Sequence, residues 1–312
     1  MQTDRPFLGI LLMLAFCVLA PLGDSVAKLL GGTVSLGMLV AVRFVVQAAI
    51  LLPLVWWLGL GFRAPKGTLG LITIRTLLHI TGIACMFSAL QYLPLADALA
   101  IAFVMPFIML LLGHYVLGEE VGRQRMVACA VGFGGTLLVI QPNFAEVGAP
   151  ALLPLGVAVV FALFMLVTRQ VAKSLDPIQL QTISGLQASA LLIPALILFP
   201  NAPGMGLISP DTSTLWLLLG LGVIGTVAHL AMTWSLRFAP TSTLAPMQYL
   251  EIPFGTFIGW LIFHDLPNGL AAVGIIITMG AGLYIIARER RLAQHPDGHA
   301  AKQPEPDPLP ES

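Results

Sequence analysis

The chain has 312 residues, of which 57% are hydrophobic and only 10% are charged. Soluble domains carry about 25% charged residues, so this composition predicts an all-α polytopic membrane protein and argues against a globular enzyme with a single anchor. Lysine plus arginine and aspartate plus glutamate balance at 15 each, which gives no basic signature of nucleic-acid binding.

Apolar stretches fill most of the chain. A transmembrane helix needs about 20 mainly apolar residues. Ten stretches meet or approach this length, of which the fifth and sixth are short, and they are residues 7–28, 36–58, 69–90, 96–117, 126–140, 152–167, 180–199, 215–234, 244–263 and 270–286. The first stretch has no small-residue cleavage site after it, so we interpret it as a retained span rather than a signal peptide.

The loops between these stretches differ in charge. With the N-terminus placed in the cytoplasm, four external loops (91–95, 141–151, 200–214 and 264–269) contain no lysine or arginine. Positive residues collect on the cytoplasmic side of membrane proteins. Here they are Arg5, Arg63, Lys66, Arg123, Arg125, Arg169, Lys173, Arg237, Arg288, Arg290, Arg291 and Lys302. The pattern predicts ten spans with both termini in the cytoplasm, and a multi-pass protein of the bacterial inner membrane.

The second half of the chain repeats the first. Residues 82–94 precede an apolar span that ends in Leu-Gly-Glu at 117–119, and residues 225–240 precede one that ends in Phe-His-Asp at 263–265. Each half holds five predicted spans, and because five is odd, the halves must cross the membrane in opposite directions. This predicts an inverted-topology repeat, an architecture of secondary transporters whose substrate site lies near the midplane between the halves.

The motifs of both halves resemble those of EamA-type carriers of the drug/metabolite transporter superfamily. The shared motifs are Tyr92-Leu-Pro-Leu-Ala-Asp97, Pro106, Leu117-Gly118-Glu119, Gly132-x-x-Gly135, Gln248-Tyr249-Leu250-Glu251, Gly259-Trp260, Phe263-x-Asp265-x-Pro267, Gly274 and Gly282-Leu283-Tyr284. The resemblance implies a ten-helix fold with alternating access. Similar carriers handle amino acids, S-adenosylmethionine, riboflavin or opine-type metallophores. His264 stands where a glycine is common in this family.

The expected division of the chain follows from the spans and the resemblance. A cytoplasmic N-terminus (1–6) precedes the first EamA-like five-helix repeat (7–142), and the second repeat covers 150–288. The tail (292–312) contains a proline-rich end that cannot build a hydrophobic core, so it is predicted to be a disordered cytoplasmic segment.

Glu251 is the carboxylate at the middle of the ninth predicted span, between Pro246 and Pro253. An ionisable group at membrane depth costs roughly 2.5–3.5 kcal/mol and usually faces a cavity or a partner. Two interpretations stay open: a group that takes up a proton or binds a substrate amine, and a neutral acid bonded to a carbonyl freed by a proline. Gln248 and Tyr249 are further candidates, although on a regular helix Tyr249 points about 200° away from Glu251.

Charged residues of the first three spans form a second group of candidates. Asp24 and Lys28 are four residues apart, which is the spacing of a helical ion pair, and Arg43 could reach Asp24. We predict an outer gate from these three residues, with a static pair as the alternative. Arg75 and Arg43 could also bind an anionic group through their planar guanidinium forks, unless they extend to the nearer interface.

The remaining candidates are histidine and aromatic residues. His79 lies near the middle of the third span, where a lone histidine is more often a packing residue than a ligand. No histidine pair has metal-ligand spacing, so no metal site and no cofactor are predicted. Tyr92 and Trp234 border the expected mouths of the cavity, and an interfacial aromatic belt is their alternative role.

These observations predict a secondary transporter that exports a small polar or amphipathic metabolite, amino-acid-like or zwitterionic, by alternating access. The chain has no Walker A sequence, so we do not expect a primary pump, and we do not expect an enzyme. The alternatives are an importer of a metabolite such as S-adenosylmethionine or riboflavin, and a non-transporting membrane receptor or assembly protein. The partners considered are the substrate, the lipid bilayer, protons and a second copy of the chain in a homodimer.

Overall fold

A computed structural model describes residues 5–61, 65, 67–118, 122–267 and 269–294, with the side chains of 139–146, 246, 285–286 and 289–294 left out. Within these residues every regular element is helical. The expectations about most of the N-terminal segment, about Arg63, Lys66 and Glu119, and about the tail beyond residue 294 concern parts of the chain outside this description.

Twelve α-helices are present in the described chain. They are α1 (Pro6–Leu30), α2 (Leu36–Trp57), α3 (Thr68–Ala89), α4 (Leu95–Ala102), α5 (Met105–Leu117), α6 (Arg123–Val147), α7 (Leu153–Ala172), α8 (Pro177–Leu198), α9 (Thr212–Phe238), α10 (Thr241–Leu244), α11 (Glu251–Phe263) and α12 (Gly269–Gln294). Two 3-10 segments, Ala149–Leu152 and Ala245–Leu250, precede α7 and α11.

Seven helical segments of the described chain are long and apolar enough to cross a membrane, with α4 and α5 counted as one segment from Leu95 to Leu117. The prediction of a helical polytopic membrane protein is therefore confirmed. The count of ten spans and the cytoplasmic placement of both termini stay predictions.

The structure refines four of the predicted spans. The helices at the fifth and sixth spans are longer than the apolar stretches, because α6 has 25 residues and α7 has 20, and each continues into polar residues. The fourth span is broken between Ala102 and Met105, and the ninth is divided into α10, a 3-10 segment and α11. Proline explains the first break, because Pro106 lacks an amide hydrogen and is tolerated in the first turn of α5.

Local signals define several helix ends. The side chains of Ser35, Asp176 and Asp211 each accept a hydrogen bond from a backbone N–H in the first turn of α2, α8 and α9. At the other end, Gly118 terminates α5 with a φ of 65°, and His264 terminates α11 with a φ of 59°. Equivalent helices in the two halves therefore end in the same left-handed conformation.

The helices pack in pairs that relate one half of the chain to the other. α2 packs against α8, and α6 packs against α12, so each lies beside its own counterpart. α1 packs against α9 and α3 packs against α7, which is the exchange that a pseudo-twofold axis produces. The backbones of α6 and α12 approach closely at Gly135, where a Cβ atom would lie 2.7 Å from the carbonyl oxygen of Gly274. This pairing supports the predicted repeat.

The outer surface of the bundle is apolar. Large hydrophobic side chains such as Trp56, Trp57, Ile197 and Phe257 are exposed. A surface with this much apolar area is unusual for a monomeric soluble protein and suits contact with lipid. Polar side chains such as Gln47 and Gln181 are instead buried between helices and hydrogen-bonded to each other, at 3.3 Å.

Candidate functional site

A cavity lies between the two halves of the bundle. It has about 700 Å³ of empty space, open solvent included, and both halves contribute to its walls. Most of the lining is apolar, and these residues are Phe16, Leu19, Ala20, Gly23, Ile83, Met86, Phe87, Leu99, Ala102, Phe103, Met105, Val157, Phe161, Leu221, Gly225 and Ala228. Four charged or titratable side chains interrupt the apolar wall, and they are Asp24, Arg43, His229 and Glu251.

Glu251 reaches the cavity because the ninth span is interrupted. It is the first residue of α11, directly after the 3-10 segment, and it is only 7% exposed. The N-terminus of a helix favours negative charge, so this position suits a carboxylate. Asp24 from α1 faces the same cavity and interacts electrostatically with Glu251. Among the described residues, none donates a hydrogen bond to either carboxylate, so both remain available to a ligand.

Arg43 and His229 form the basic part of the wall. The Nη2 atom of Arg43 lies 2.8 Å from Nδ1 of His229 and 3.5 Å from the carbonyl oxygen of Gly225. Gly225 makes this approach possible, because a Cβ atom there would lie 2.6 Å from Nε of Arg43. The i, i+4 spacing of Gly225 and His229 places both on one face of α9.

Gln248 and Tyr249 do not line the cavity, which corrects the expectation that they join Glu251 there. They belong to the 3-10 segment, and both side chains are fully buried in the protein core. The Tyr249 hydroxyl donates to the carbonyl oxygen of Cys129 at 3.2 Å, and its ring packs against Gly132. Nε2 of Gln248 lies 3.0 Å from the sulfur of Met165.

Lys28 does not pair with Asp24, contrary to the expected ion pair. Its ammonium group lies 3.3 Å from Oδ2 of Asp265 and donates to the carbonyl oxygen of Leu93, also at 3.3 Å. It also lies 4.7 Å from the ring centre of Phe263. The long side chain extends towards the end of the bundle, whereas Asp24 turns to the cavity. The ion pair therefore connects α1 to the segment after α11 in the other half.

Arg75 and His79 are buried behind the cavity wall. The Arg75 guanidinium donates to the hydroxyls of Thr168 at 2.9 Å and Ser184 at 2.8 Å, so it does not extend to an interface. The His79 ring stacks on Phe164, with ring centres 4.5 Å apart. Neither residue lines the cavity, so their expected contact with a substrate is not direct in this conformation.

The two aromatic candidates lie away from the cavity. Tyr92 is 55% exposed in the loop after α3. Trp234 is partly buried against the cluster formed by Leu51, Val55 and Ile178. Neither side chain belongs to the cavity lining, and the exposed position of Tyr92 agrees with the alternative of an interfacial aromatic residue.

The model of the EamA-like transporter family matches residues 7–141 and 149–288, which together cover nearly the whole described bundle. The chain belongs to the EamA-like transporter family. The predicted resemblance is confirmed, and this EamA-like protein is a membrane transporter by family.

Named transporters resemble this EamA-like chain over most of its length. A riboflavin transporter of Rhizobium johnstonii is 30% identical over 222 residues, or 71% of this chain and 72% of the relative. An S-adenosylmethionine uptake transporter of Rickettsia prowazekii is 24% identical over 91% of this chain and 94% of its own. The pseudopaline exporter CntI of Pseudomonas aeruginosa is 24% identical over 68% of this chain and 72% of its own.

A solved crystal structure has the same fold. It superposes on this EamA-like chain with a TM-score of 0.70 at 21% sequence identity. The match covers 93% of this chain and 100% of the solved chain. At that identity the comparison supports the architecture of the bundle alone. The cavity residues of the present chain must therefore be interpreted from their own contacts.

His229 is a cavity residue that is not among the candidates from the sequence. It lines the cavity and contacts both Arg43 and His79. A helical plot of α9 would have placed His229 beside Gly225, on the face that the repeat predicts to be internal. In the part of the chain that is described, no group of three or more His, Cys, Asp or Glu side chains could hold a metal ion.

Proposed function

We propose that this chain is a secondary transporter that carries a small amphipathic metabolite by alternating access, with the cavity as its substrate site. One observation carries the proposal: an apolar cavity between the two halves contains two carboxylates, an arginine and a histidine. Ligand sites are mostly apolar clefts with a few convergent polar groups. In transporters built from inverted repeats, such a site lies between the halves.

The two ends of the bundle differ, as alternating access requires. The cavity lies from the middle of the bundle towards the C-terminal ends of α1 and α3. At the opposite end α1 and α9 are in tight contact, because the backbone N–H of Arg5 donates to Phe238 and Gly9 abuts Ala239. In the predicted orientation the cavity lies on the external side. The Lys28–Asp265 pair at that end is our proposed outer gate, in place of the expected Asp24–Lys28 pair.

Glu251 is our proposed proton-coupling residue, with Asp24 as its neighbour. A carboxylate that faces a cavity without a hydrogen-bonding partner can exchange a proton with solvent or with a bound amine. Two carboxylates near each other repel when both are ionised, so one proton or one cationic group of a substrate relieves the repulsion. Import of a proton would then drive movement of the metabolite.

The proposed substrate has a flat ring system and a polar group. Phe16, Phe87, Phe103 and Phe161 lie in the cavity wall, and aromatic rings pack favourably against flat rings. The names of two relatives, which specify riboflavin and S-adenosylmethionine, supply the first compounds to test. Export is the direction expected from the sequence, and uptake is the direction named for the Rickettsia relative.

A transport assay in proteoliposomes tests the proposal. Labelled riboflavin and S-adenosylmethionine are followed in both directions under an imposed pH gradient. We expect transport of one of them that responds to the gradient, loss of that response in Glu251→Gln, and no change in Asp176→Asn. Asp176 caps α8 away from the cavity, and asparagine caps a helix equally well, so this variant is a matched control for removal of a carboxylate.

Three results would change the proposal. Normal gradient-dependent transport by Glu251→Gln would remove the proton-coupling role. Binding of a compound by the folded protein without any transport would favour the non-transporting receptor. Absence of both binding and transport across these compounds would remove the proposed substrate class.

A further inference from the structure

Four basic side chains meet behind and beside the cavity wall, and we name Arg43, Arg75, His79 and His229 the basic cluster. The rings of His79 and His229 lie 4.3 Å apart between centroids, and Arg43 contacts His229 at 2.8 Å. The guanidinium carbon of Arg75 lies 4.6 Å from the ring centre of Phe164, on which His79 also stacks. All four side chains are 5% exposed or less. The cluster is therefore a buried concentration of positive or protonatable groups.

Among the described residues, no carboxylate forms an ion pair with the basic cluster. Among the described residues, Arg75 donates hydrogen bonds to two hydroxyls, and the polar neighbours of the Arg43 guanidinium are a histidine and a backbone carbonyl. Asp24 interacts electrostatically with Arg43 but lies beyond ion-pair distance among the described residues. An arginine stays charged in proteins, and a buried charge is normally paired. In the described part of the chain neither guanidinium group therefore has a carboxylate at ion-pair distance, and Asp24 offsets only part of the Arg43 charge from farther away.

The cluster also has nitrogens ready to bind a ligand. Nη1 of Arg43, Nη2 of Arg75, Nε2 of His229 and both ring nitrogens of His79 are buried, and in the described part of the chain no group hydrogen-bonds to them. Each buried donor left without a partner costs roughly 1–3 kcal/mol, and a charged one costs more. These five nitrogens include at least three donors, one each on Arg43, Arg75 and His79, and their clustering indicates a common ligand rather than isolated packing defects.

We propose that the basic cluster is an anion-binding subsite of the cavity, which takes one carboxylate or one halide ion. This inference deepens the proposed transport function and rests on it. Arg43 and His229 line the cavity, so an anion that enters there meets them first, with His79 one ring behind. Guanidinium groups suit carboxylates because two parallel N–H donors match the two oxygens.

The subsite gives the cavity two chemically different ends. Asp24 and Glu251 attract a cationic group, and the basic cluster attracts an anionic group. A zwitterionic substrate would be held at both ends, as an amino acid moiety requires. A neutral substrate would instead leave the cluster to a free halide or carboxylate ion. These two sources share the same binding chemistry and can be separated experimentally.

The test measures the unfolding temperature of the purified full-length protein against sodium acetate, sodium chloride and S-adenosylmethionine. A ligand that binds only the folded state raises this temperature saturably. We expect a saturable rise in wild type and in Lys173→Gln, which removes an exposed positive charge outside the cluster. In Arg43→Gln we expect the apparent dissociation constant to rise about tenfold or more, because a charge-assisted hydrogen bond is lost. Comparison with Arg43→Gln also corrects the wild-type response for general effects of salt.

A second variant covers the case in which Arg43→Gln does not fold. His79→Phe keeps a ring against Phe164 and removes two unpaired nitrogens, so we expect it to fold and to bind acetate several-fold more weakly. In Asp24→Asn we expect tighter anion binding, because a competing negative charge is removed. Saturation by S-adenosylmethionine at low salt that weakens in Arg43→Gln would identify the carboxylate of the cargo, and a need for acetate or chloride with riboflavin would identify a free ion.

The subsite is overturned if none of the three carboxylate or halide probes stabilises wild type, or if Arg43→Gln and His79→Phe respond as wild type does. Such a result in a protein that still transports a metabolite in vesicles would leave the proposed function intact. Anion binding by a protein that transports nothing would have the opposite meaning. The two proposals therefore fail separately.

Discussion

His264 offers a direct test of how the repeat shapes the backbone. It is the non-glycine residue with positive φ in the described chain, at 59°, and it ends α11. Gly118 ends α5 at the equivalent place with a φ of 65°. A side chain in this left-handed conformation costs roughly 1–2 kcal/mol, although histidine tolerates it better than most residues. The second half thus holds strain that the first half avoids.

His264→Gly should stabilise the protein, and Gly118→Ala should destabilise it. Glycine removes the strain at residue 264, but it makes the unfolded chain more flexible, which offsets about 0.5–1 kcal/mol. The net gain is therefore about 0.5–1 kcal/mol, and the same terms with opposite sign apply to Gly118→Ala. No atom lies within 4 Å of a Cβ placed at Gly118, so backbone conformation alone decides that result.

Thermal unfolding of the purified protein measures both changes. For a chain of this size, 0.5–1 kcal/mol corresponds to a shift of about 1–4 °C, upward for His264→Gly and downward for Gly118→Ala. The Lys28–Asp265 pair follows directly after this turn, so a glycine that keeps the turn should leave transport unchanged. If His264→Gly lowered the unfolding temperature, contacts of the imidazole would outweigh strain and the reasoning would be refuted.

Two further predictions concern helix contacts. Gly132→Ala places a Cβ atom 2.6 Å from the Tyr249 ring, so we expect about 1–3 kcal/mol of destabilisation in chemical unfolding, whereas Gly134→Ala meets no atom within 4 Å and should be neutral or stabilising. Equal effects would contradict the tight contact. A double-mutant cycle on Lys28→Met and Asp265→Asn should give a coupling of about 0.5–1 kcal/mol, because the pair is half-exposed, and a coupling near zero would contradict a stable ion pair.

Much of the architecture could be predicted because short stretches of the sequence carry the hydrophobic pattern and the repeated motifs. The apolar stretches, the repeat and the family motifs predicted a helical transporter, which the structure and the family match confirm. The interruption of the fourth and ninth spans was harder to predict in detail. Proline indicates a break, but whether the next turn is 3-10 or α depends on packing. In the folded chain Glu251 faces the cavity, and Tyr249, in the 3-10 segment, faces the core.

Pairings across the two halves could not be predicted from spacing. Asp24 and Lys28 have the spacing of a helical ion pair, yet Lys28 pairs with Asp265 in the other half. The rings of His79 and His229 lie 4.3 Å apart between centroids, although α3 and α9 are far apart in sequence. Local periodicity describes which face of a helix is internal, and only the tertiary arrangement determines which internal groups meet.

The two halves have similar backbone folds but carry different side chains beside the cavity. Met105 is the first residue of α5, and Glu251 is the first residue of α11, so equivalent positions beside the cavity carry a thioether and a carboxylate. A second buried acid at residue 105 would face the first across the cavity and raise the cost of ionising either. Symmetry of the fold therefore supplies the cavity and the breaks that open it, whereas asymmetry of the side chains makes one wall acidic and another basic. An alternating carrier needs the symmetric fold to exchange between its two states. It needs the asymmetric side chains to hold one substrate in one orientation.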